Sequence, residues 1–457
     1  MVALGLALDG CGGGSSPSAP VPSATPAARR PNLVLVVADD LDVPTTDRLP
    51  RFQRLAEQGL SFTRFYTAQP LCGPSRAAIL TGQYGHNNGV LFNGPPNGGF
   101  ATFRQSESSS LAPWLKSAGY RTALIGKYIN TYAGDAGDAY IPPGWDYWYG
   151  HSTTLEDGRY YNYWVNDNGK VIRYGVAPGD YSTDAETKRA VEFIRAEAGR
   201  PEPIFLYLGP QAPHEPANCD PRHGPEFRDE EAPRVPSFNV PDPESPGLPL
   251  SASDIAQLDD LQRRRMCSVT FVNDMIDAVV QAMAETGRMD DTYLLFTSDN
   301  GLLMGQHRGQ ANKDNFYEEV IRVPLMVRGP GVPRGTVDRL ALTIDLAPTL
   351  VELAGLPVPD RVDGRSLTGF LRGRPPATWR TEIYVESYVG FQTAPDQKYG
   401  IRTADWFYGN ADRVLLFDMR ADPYQLTNLR RSAPPADLEA FERRARTYST
   451  CKGASCP

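Results

Sequence analysis

The stretch Leu71-Cys72-Gly73-Pro74-Ser75-Arg76-Ala77-Ala78-Ile79-Leu80-Thr81-Gly82 sets a cysteine, a proline and an arginine at alternate positions where a helix begins. Pro74 has the fixed φ that suits a first helical turn, and Arg76 to Leu80 favour helix. Cys72 therefore stands at the positive end of a helix dipole, where an anion would bind. A lone cysteine at a helix start is more often buried and inert, so the chemical reading depends on partners elsewhere in the chain. Asp39-Asp40 and Asp299-Asn300 are such partners. Either pair alone would be an ordinary capped turn, but together they offer only oxygen donors, which suit a hard divalent cation such as calcium better than zinc.

The elements around these residues predict where they meet. Leu33 to Ala38 is a continuous apolar, β-branched run, as in a strand buried on both faces, and it ends in Asp39-Asp40. Similar runs at 122–126, 204–208, 293–297 and 325–327 alternate with helical stretches at 49–58, 111–118, 185–198 and 254–285, the pattern of a doubly wound α/β sheet. Ligands of such sheets bind beyond the carboxyl ends of the strands. The residues there are Asp39 and Asp40, Lys127, His214, and Asp299 with Asn300. From about Thr381 the texture turns β-rich and aromatic, with strands expected at 382–388, 399–402 and 413–419 and a closing helix from Pro435, which predicts a small antiparallel sheet with one helix on it.

The Cys72 stretch resembles the C-x-P-S-R and L-T-G signature of the type I sulfatases, in which a separate formylglycine-generating enzyme oxidises the cysteine to Cα-formylglycine. Pro31-Asn32 to Asp40, Gly126-Lys127, Pro213-His214 and Thr297-Ser298-Asp299-Asn300-Gly301 resemble further elements of that family, in its order. The resemblance implies an alkaline-phosphatase-like fold, with a large, mostly parallel mixed sheet flanked by helices. It also implies one Ca2+ held by Asp39, Asp40, Asp299, Asn300 and the modified Cys72. Arg76 resembles the residue that fixes the formylglycine hydrate, Lys127 and Lys313 the lysines that bind sulfate oxygens, and His214 the proton donor to the departing alcohol. His307 is a further candidate for substrate contact, and His86 is expected to be structural or substrate-contacting. A hydrated aldehyde explains the modification: one hydroxyl attacks sulfur, and deprotonation of the other ejects sulfate by breaking carbon–oxygen.

One metal fits a sulfate monoester, which carries a single negative charge. Phosphomonoesterases of the superfamily use two metals and several histidine ligands, whereas here Gly301 follows Asn300 and no histidine adjoins either acidic pair. Many arylsulfatases carry a histidine two residues after the lysine, as base for hydrate collapse. Here that position is Ile129, which leaves Asn130 or another group for the task. The aromatic run from Tyr128 through Trp145, Trp148 and Tyr149 to Tyr163 would either stack on sugar faces or pack a loop-rich flank. Together with the terminal 451–456 segment it resembles the N-acetylglucosamine-6-sulfatases of glycosaminoglycan breakdown. Competing readings are an arylsulfatase of broad specificity, a phosphonate or phosphodiester hydrolase of the same superfamily, and an unprocessed binding lipoprotein at the cell surface.

At 457 residues and 41% hydrophobic content the chain can bury a large core. Its 46 basic and 54 acidic side chains give a formal charge of −8, which recommends no nucleic-acid partner. Three segments are expected: a signal- or lipoprotein-like leader and linker at 1–30, a catalytic domain at 31–380 and an α+β subdomain at 381–457. Cys11 would be the lipid anchor of an exported protein, displayed on the cell surface or released. Cys451 with Cys456, and Cys219 with Cys267, could pair or remain free thiols. His151 and His223 are expected at the surface.

Overall fold

The computed structural model describes residues 1–5, 30–153, 155, 158–241, 243, 247–390 and 395–457. Cys11, the expected lipid attachment site, lies outside them. No helix among the described residues is long and apolar enough to cross a membrane.

Ten strands form the main sheet: β1 Asn32–Ala38, β2 Leu60–Phe62, β3 Arg121–Gly126, β4 Tyr147–His151, β5 Trp164–Asp167, β6 Lys170–Arg173, β7 Ile204–Gly209, β8 Thr292–Ser298, β9 Leu325–Arg328 and β10 Gly335–Val337. Their spatial order is β10-β2-β9-β8-β1-β7-β3-β4-β5-β6. The central strands β8, β1, β7, β3 and β4 run parallel, and antiparallel neighbours join at both sides. This is the expected α/β sheet, mixed and mostly parallel at its centre.

The period-two alternation of β1 divides the core. Leu33, Leu35 and Val37 face Ala77, Ile79 and Leu80 of helix α1 (Cys72–Thr81), while Val34, Val36 and Ala38 face Phe193 and Ile194 of α2 (Ser182–Ala196) and Met275, Ile276 and Val279 of α3 (Ala252–Glu285). A strand covered on both faces must be apolar throughout. Truncating one of these leucines to alanine would cost about 3 kcal/mol. Helix α3 starts in a capping box, Ser251 with Asp254, and runs 34 residues along the sheet.

The C-terminal sheet has four antiparallel strands, β11 Glu382–Val389, β12 Asp396–Thr403, β13 Trp406–Asn410 and β14 Val414–Asp418, covered by helix α4 (Pro435–Ser449). Trp406–Asn410 is a strand that sequence reasoning left out. Tyr384 stacks on Tyr448 and Tyr408 on Phe441, which fixes the helix on the sheet. This core continues into Tyr66, Ala78, Tyr84 and Ile344, so the small sheet shares apolar packing with the large one. Both cysteine pairs are bridged: Cys219 with Cys267, and Cys451 with Cys456.

Two expectations are corrected. His151 is 1 % exposed, because Tyr147–His151 is a strand between β3 and β5 rather than a surface loop. His223 is mostly covered too, held by Glu226 at 2.7 Å and Asp274 at 2.8 Å against the Phe271 ring. The aromatic run packs rather than projects: Tyr128, Tyr132, Trp148, Tyr149, Tyr160 and Tyr163 are all buried.

Candidate active site

Every chemically loaded residue predicted from the strand ends comes from the carboxyl edge of the parallel strands. Asp39 and Asp40 follow β1, Lys127 follows β3, the His214 turn follows β7, and Asp299 with Asn300 follows β8. Cys72 opens α1, which enters the same space. Asp40 has φ of 64°, a left-handed conformation that a non-glycine residue keeps only where its surroundings impose it. Here Arg265 Nη2 holds Asp40 O at 3.0 Å, and Asp40 N donates to Asp299 Oδ1 at 3.1 Å.

One ligand atom from each of Asp39, Asp40, Cys72 and His214 lies within 4.8 Å of the others. The Cys72 thiol is 3.4 Å from Asp39 Oδ1 and 3.7 Å from Asp40 Oδ1. Lys313 Nζ stands 2.8 Å from Cys72 Sγ and 2.6 Å from Asp40 Oδ1, while Lys127 Nζ reaches Asp39 Oδ2 at 2.6 Å. His214 Nε2 is 3.5 Å from Asp40 Oδ2. Asp299 adjoins this group but turns its other oxygen, Oδ2, onto Arg76 Nε at 2.8 Å. Arg76 also reaches Lys127 O at 3.3 Å and the Tyr207 hydroxyl at 3.4 Å. His307 stacks on Tyr317, its ring centroid 3.7 Å away. His86 is bound between Glu386 at 2.8 Å and Cys451 O at 3.1 Å, a structural placement.

Three carboxylates, Asp39, Asp40 and Asp299, thus face three cations, Arg76, Lys127 and Lys313. Burial pushes the Asp39 carboxyl up, but Lys127, His214 and Arg76 outweigh it and hold it well below the usual range. Burial likewise opposes ionisation of Asp40, and Lys313 with His214 brings it down to about 2. Asp299 goes the other way: burial and the Asp39 charge lift it to about 6 against Arg76. Burial drives the Cys72 thiol far up despite both lysines, so unmodified it is a poor nucleophile.

The donors suit a hard cation. Asp39, Asp40 and Asp299 offer carboxylates, and Asn300 Oδ1 is buried without a hydrogen-bond partner while its Nδ2 donates to Asp40 Oδ1 at 2.7 Å. Gly301 is required by packing: a Cβ there would lie 2.0 Å from Glu319 O, and its N–H donates to Val320 O at 2.8 Å. Position 301, next to Asn300, is thus closed to any side chain. Ile129 is buried in the core, and its neighbour Asn130 keeps a buried, unpartnered Oδ1 directed at Gly73.

Residues 31–356 match the sulfatase family, and residues 305–443 match the C-terminal region of N-sulphoglucosamine sulphohydrolase. The chain belongs to the sulfatase family. This sulfatase is 32% identical to the N-acetylglucosamine-6-sulfatase of Capra hircus over 95% of its own length and 86% of the relative's. The Homo sapiens N-acetylglucosamine-6-sulfatase is also 32% identical, with 94% and 86% covered. A solved structure described as being in complex with its substrate D-glucosamine-2-N,6-O-disulfate superposes with a TM-score of 0.77 at 25% identity, covering 91% of this chain and 97% of that one. The sulfatase is a sulfuric ester hydrolase with the fold of that neighbour.

Sequence reasoning missed several supports of the site. Asn93 Oδ1 accepts the Gly73 N–H at 2.8 Å and so caps the helix that carries Cys72, and Tyr207 backs Arg76. An isolated Asn in a Gly- and Pro-rich loop carries no signal of such a contact. Tyr207 could have been found, since period-two alternation along β7 sets it on the α1 face.

Proposed function

We propose that the protein removes the 6-sulfate of N-acetylglucosamine or of a related glycosaminoglycan unit, using Cα-formylglycine at position 72 and one Ca2+. The observation that carries this reading is the placement of Lys313 Nζ at 2.8 Å from Cys72 Sγ and 2.6 Å from Asp40 Oδ1, opposite Lys127 on Asp39. A nucleophile position, a candidate cation site and two ammonium groups converge there, the set that transfer of one sulfuryl group needs. The substrates named for the relatives support the sugar assignment.

Asp39, Asp40, Asp299, Asn300 and residue 72 would hold the cation, which supplies Lewis-acid polarisation of a sulfuryl oxygen when bound. Formylglycine at residue 72 would, as its hydrate, offer one hydroxyl for attack on sulfur and a second from which loss of a proton would expel sulfate. Lys127 and Lys313 bind sulfate oxygens and offset the charge that develops on them. Arg76, locked on Asp299, orients residue 72 from the next turn of its helix. His214 Nδ1–H donates to Glu215 O at 2.7 Å, so Nε2 is the nitrogen that faces the cluster. To protonate the departing sugar oxygen the ring must carry both protons, a charge that burial opposes more strongly than Asp40 and Asp39 favour it, holding the pKa below the ordinary histidine value.

The same reading assigns 31–380 to catalysis and 381–457 to a supporting subdomain. It makes a formylglycine-generating enzyme the maturation partner. Two disulfides suit an exported protein, anchored at Cys11 or released.

The test is sulfate release from glucosamine derivatives sulfated at N, O3 or O6, with peptide mass spectrometry at residue 72. Preferential release from O6 by a chain bearing an aldehyde supports the reading. An active chain with an intact thiol, or turnover confined to phosphodiesters, overturns it.

A further inference from the structure

The His214 turn rests on a buried scaffold that no step above uses. His214 N donates to Gln211 O at 2.9 Å, closing the turn, and Ala217 N donates to His214 O at 2.9 Å. The Tyr160 hydroxyl donates to His214 O at 2.7 Å, with Gln211 O at 3.3 Å. Tyr160 is fully buried, and its own carbonyl accepts from Ser182 N at the start of α2, so the strap is fixed at its far end. The bonds that reach the turn all go to its main-chain atoms. Among the described residues the His214 ring bonds Glu215 O and faces Asp40.

A second tier fixes Gln211. Arg159 Nη1 donates to Gln211 Oε1 at 3.2 Å, which settles the amide orientation, so Gln211 Nε2 faces His151 Nδ1 at 2.9 Å as donor. Nδ1 is thereby the acceptor, and His151 Nε2–H donates to Glu186 Oε1 at 2.7 Å. His151 and Glu186 sit on β4 and α2, rigid elements of the main fold, and both are buried. The chain Glu186–His151–Gln211 therefore ties a catalytic turn to the body of the sheet, with Tyr160 as a parallel tie.

We propose that Tyr160, Gln211 and His151 are positioning residues that aim His214 Nε2 at the departing sugar oxygen. The proposal rests on the reading of His214 as proton donor. A sugar alkoxide is a poor leaving group and needs that proton, whereas 4-nitrophenolate leaves without help, so a misaimed acid penalises only the former. A merely structural loss would slow both.

The experiment measures kcat and KM of Tyr160→Phe and Gln211→Met on N-acetylglucosamine 6-sulfate and on a series of substituted phenyl sulfates ending in 4-nitrophenyl sulfate. His214→Ala is the reference. The expected result is a kcat about tenfold lower on the sugar sulfate with KM within about twofold, a loss of less than about threefold on 4-nitrophenyl sulfate, and a steeper leaving-group dependence along the series. Two variants that touch different atoms of the same turn guard against one failing to fold. Equal losses on both substrates, no loss on either, or a change in KM alone overturns the positioning role when His214→Ala shows the asymmetry. If His214→Ala itself slows both substrates equally, the donor role of His214 falls, and the positioning role with it.

Discussion

Arg76 and Asp299 form an ion pair closed off from solvent, Nε to Oδ2 at 2.8 Å, between residues 223 positions apart in the chain. The pair joins the helix that carries Cys72, the proposed nucleophile position, to the strand end that carries Asp299 and Asn300, the proposed cation ligands. Removing one partner strands a buried charge, so Arg76→Leu should cost about 3–5 kcal/mol in denaturant unfolding. Asp299→Asn in the same chain should recover part of that loss, because the uncompensated carboxylate is gone. Additive losses in the double variant would contradict the pairing.

Lys127 and Lys313 hold different exposures: the Lys127 side chain is 3 % accessible and that of Lys313 17 %. Either lysine changed to Met should lower kcat by about 10²- to 10³-fold on a sugar sulfate, the usual effect of deleting a charge that stabilises a transition state. Stability should separate them, with Lys127→Met the more damaging because Asp39 is the more deeply enclosed partner. Thermal melting alongside steady-state kinetics checks both halves.

The Cys219–Cys267 bridge spans 48 residues and fixes the segment after His214 to the middle of α3. Closing a loop of that length restricts the unfolded chain by about 4 kcal/mol in the chain-entropy account. Replacing both cysteines with alanine should therefore lower unfolding free energy by about 2–4 kcal/mol. The same variant should no longer respond to reductant at this site, which denaturation with and without a thiol reagent reads directly.

His86 links the larger α/β body to the C-terminal sheet through Glu386, and its titration sets a pH dependence. Burial pulls its pKa down, but the hydrogen bond and charge of Glu386, with the Cys451 carbonyl and Asp363, lift it above its ordinary 6.5. A histidine raised on folding contributes stability that is complete below its unfolded value and is lost as pH climbs through the folded one. The melting temperature gap between the wild type and His86→Asn should be widest in acid and should narrow above neutrality. A charge-assisted hydrogen bond of this kind is worth about 1.5–3 kcal/mol. A gap that stays constant with pH would show that His86 acts by packing alone.

The strand ends that gather the candidate site were legible because their signal is local. Leu33 to Ala38 is apolar at every position and stops at two aspartates, and Ile204 to Leu208 and Tyr293 to Thr297 repeat the pattern ahead of His214 and Asp299. Burial on both faces and ligand binding beyond the strand end both leave traces in consecutive residues. His151 left none. Its meaning comes from Glu186 and Gln211, which reach it only through tertiary packing, and from Arg159, which orients Gln211, while its strand, rich in Tyr and Trp, reads equally well as a flank. Trp406–Asn410 was left out for a related reason: Gly409 and Asn410 have low strand propensity, and pairing with β12 and β14 is what makes them a strand.

Cys72 is 1 % exposed, with Lys313 against its sulfur and Asp39 and Asp40 beside it. No second protein can bring its own reactive groups to an atom so enclosed unless the chain opens. The conversion proposed for this residue therefore belongs to the interval between synthesis and folding, when the segment is still extended and reachable. On the proposed reading, a molecule that folds before it meets the oxidising enzyme would keep its sulfur and stay idle, so the race between the two events would set what fraction of the molecules can work.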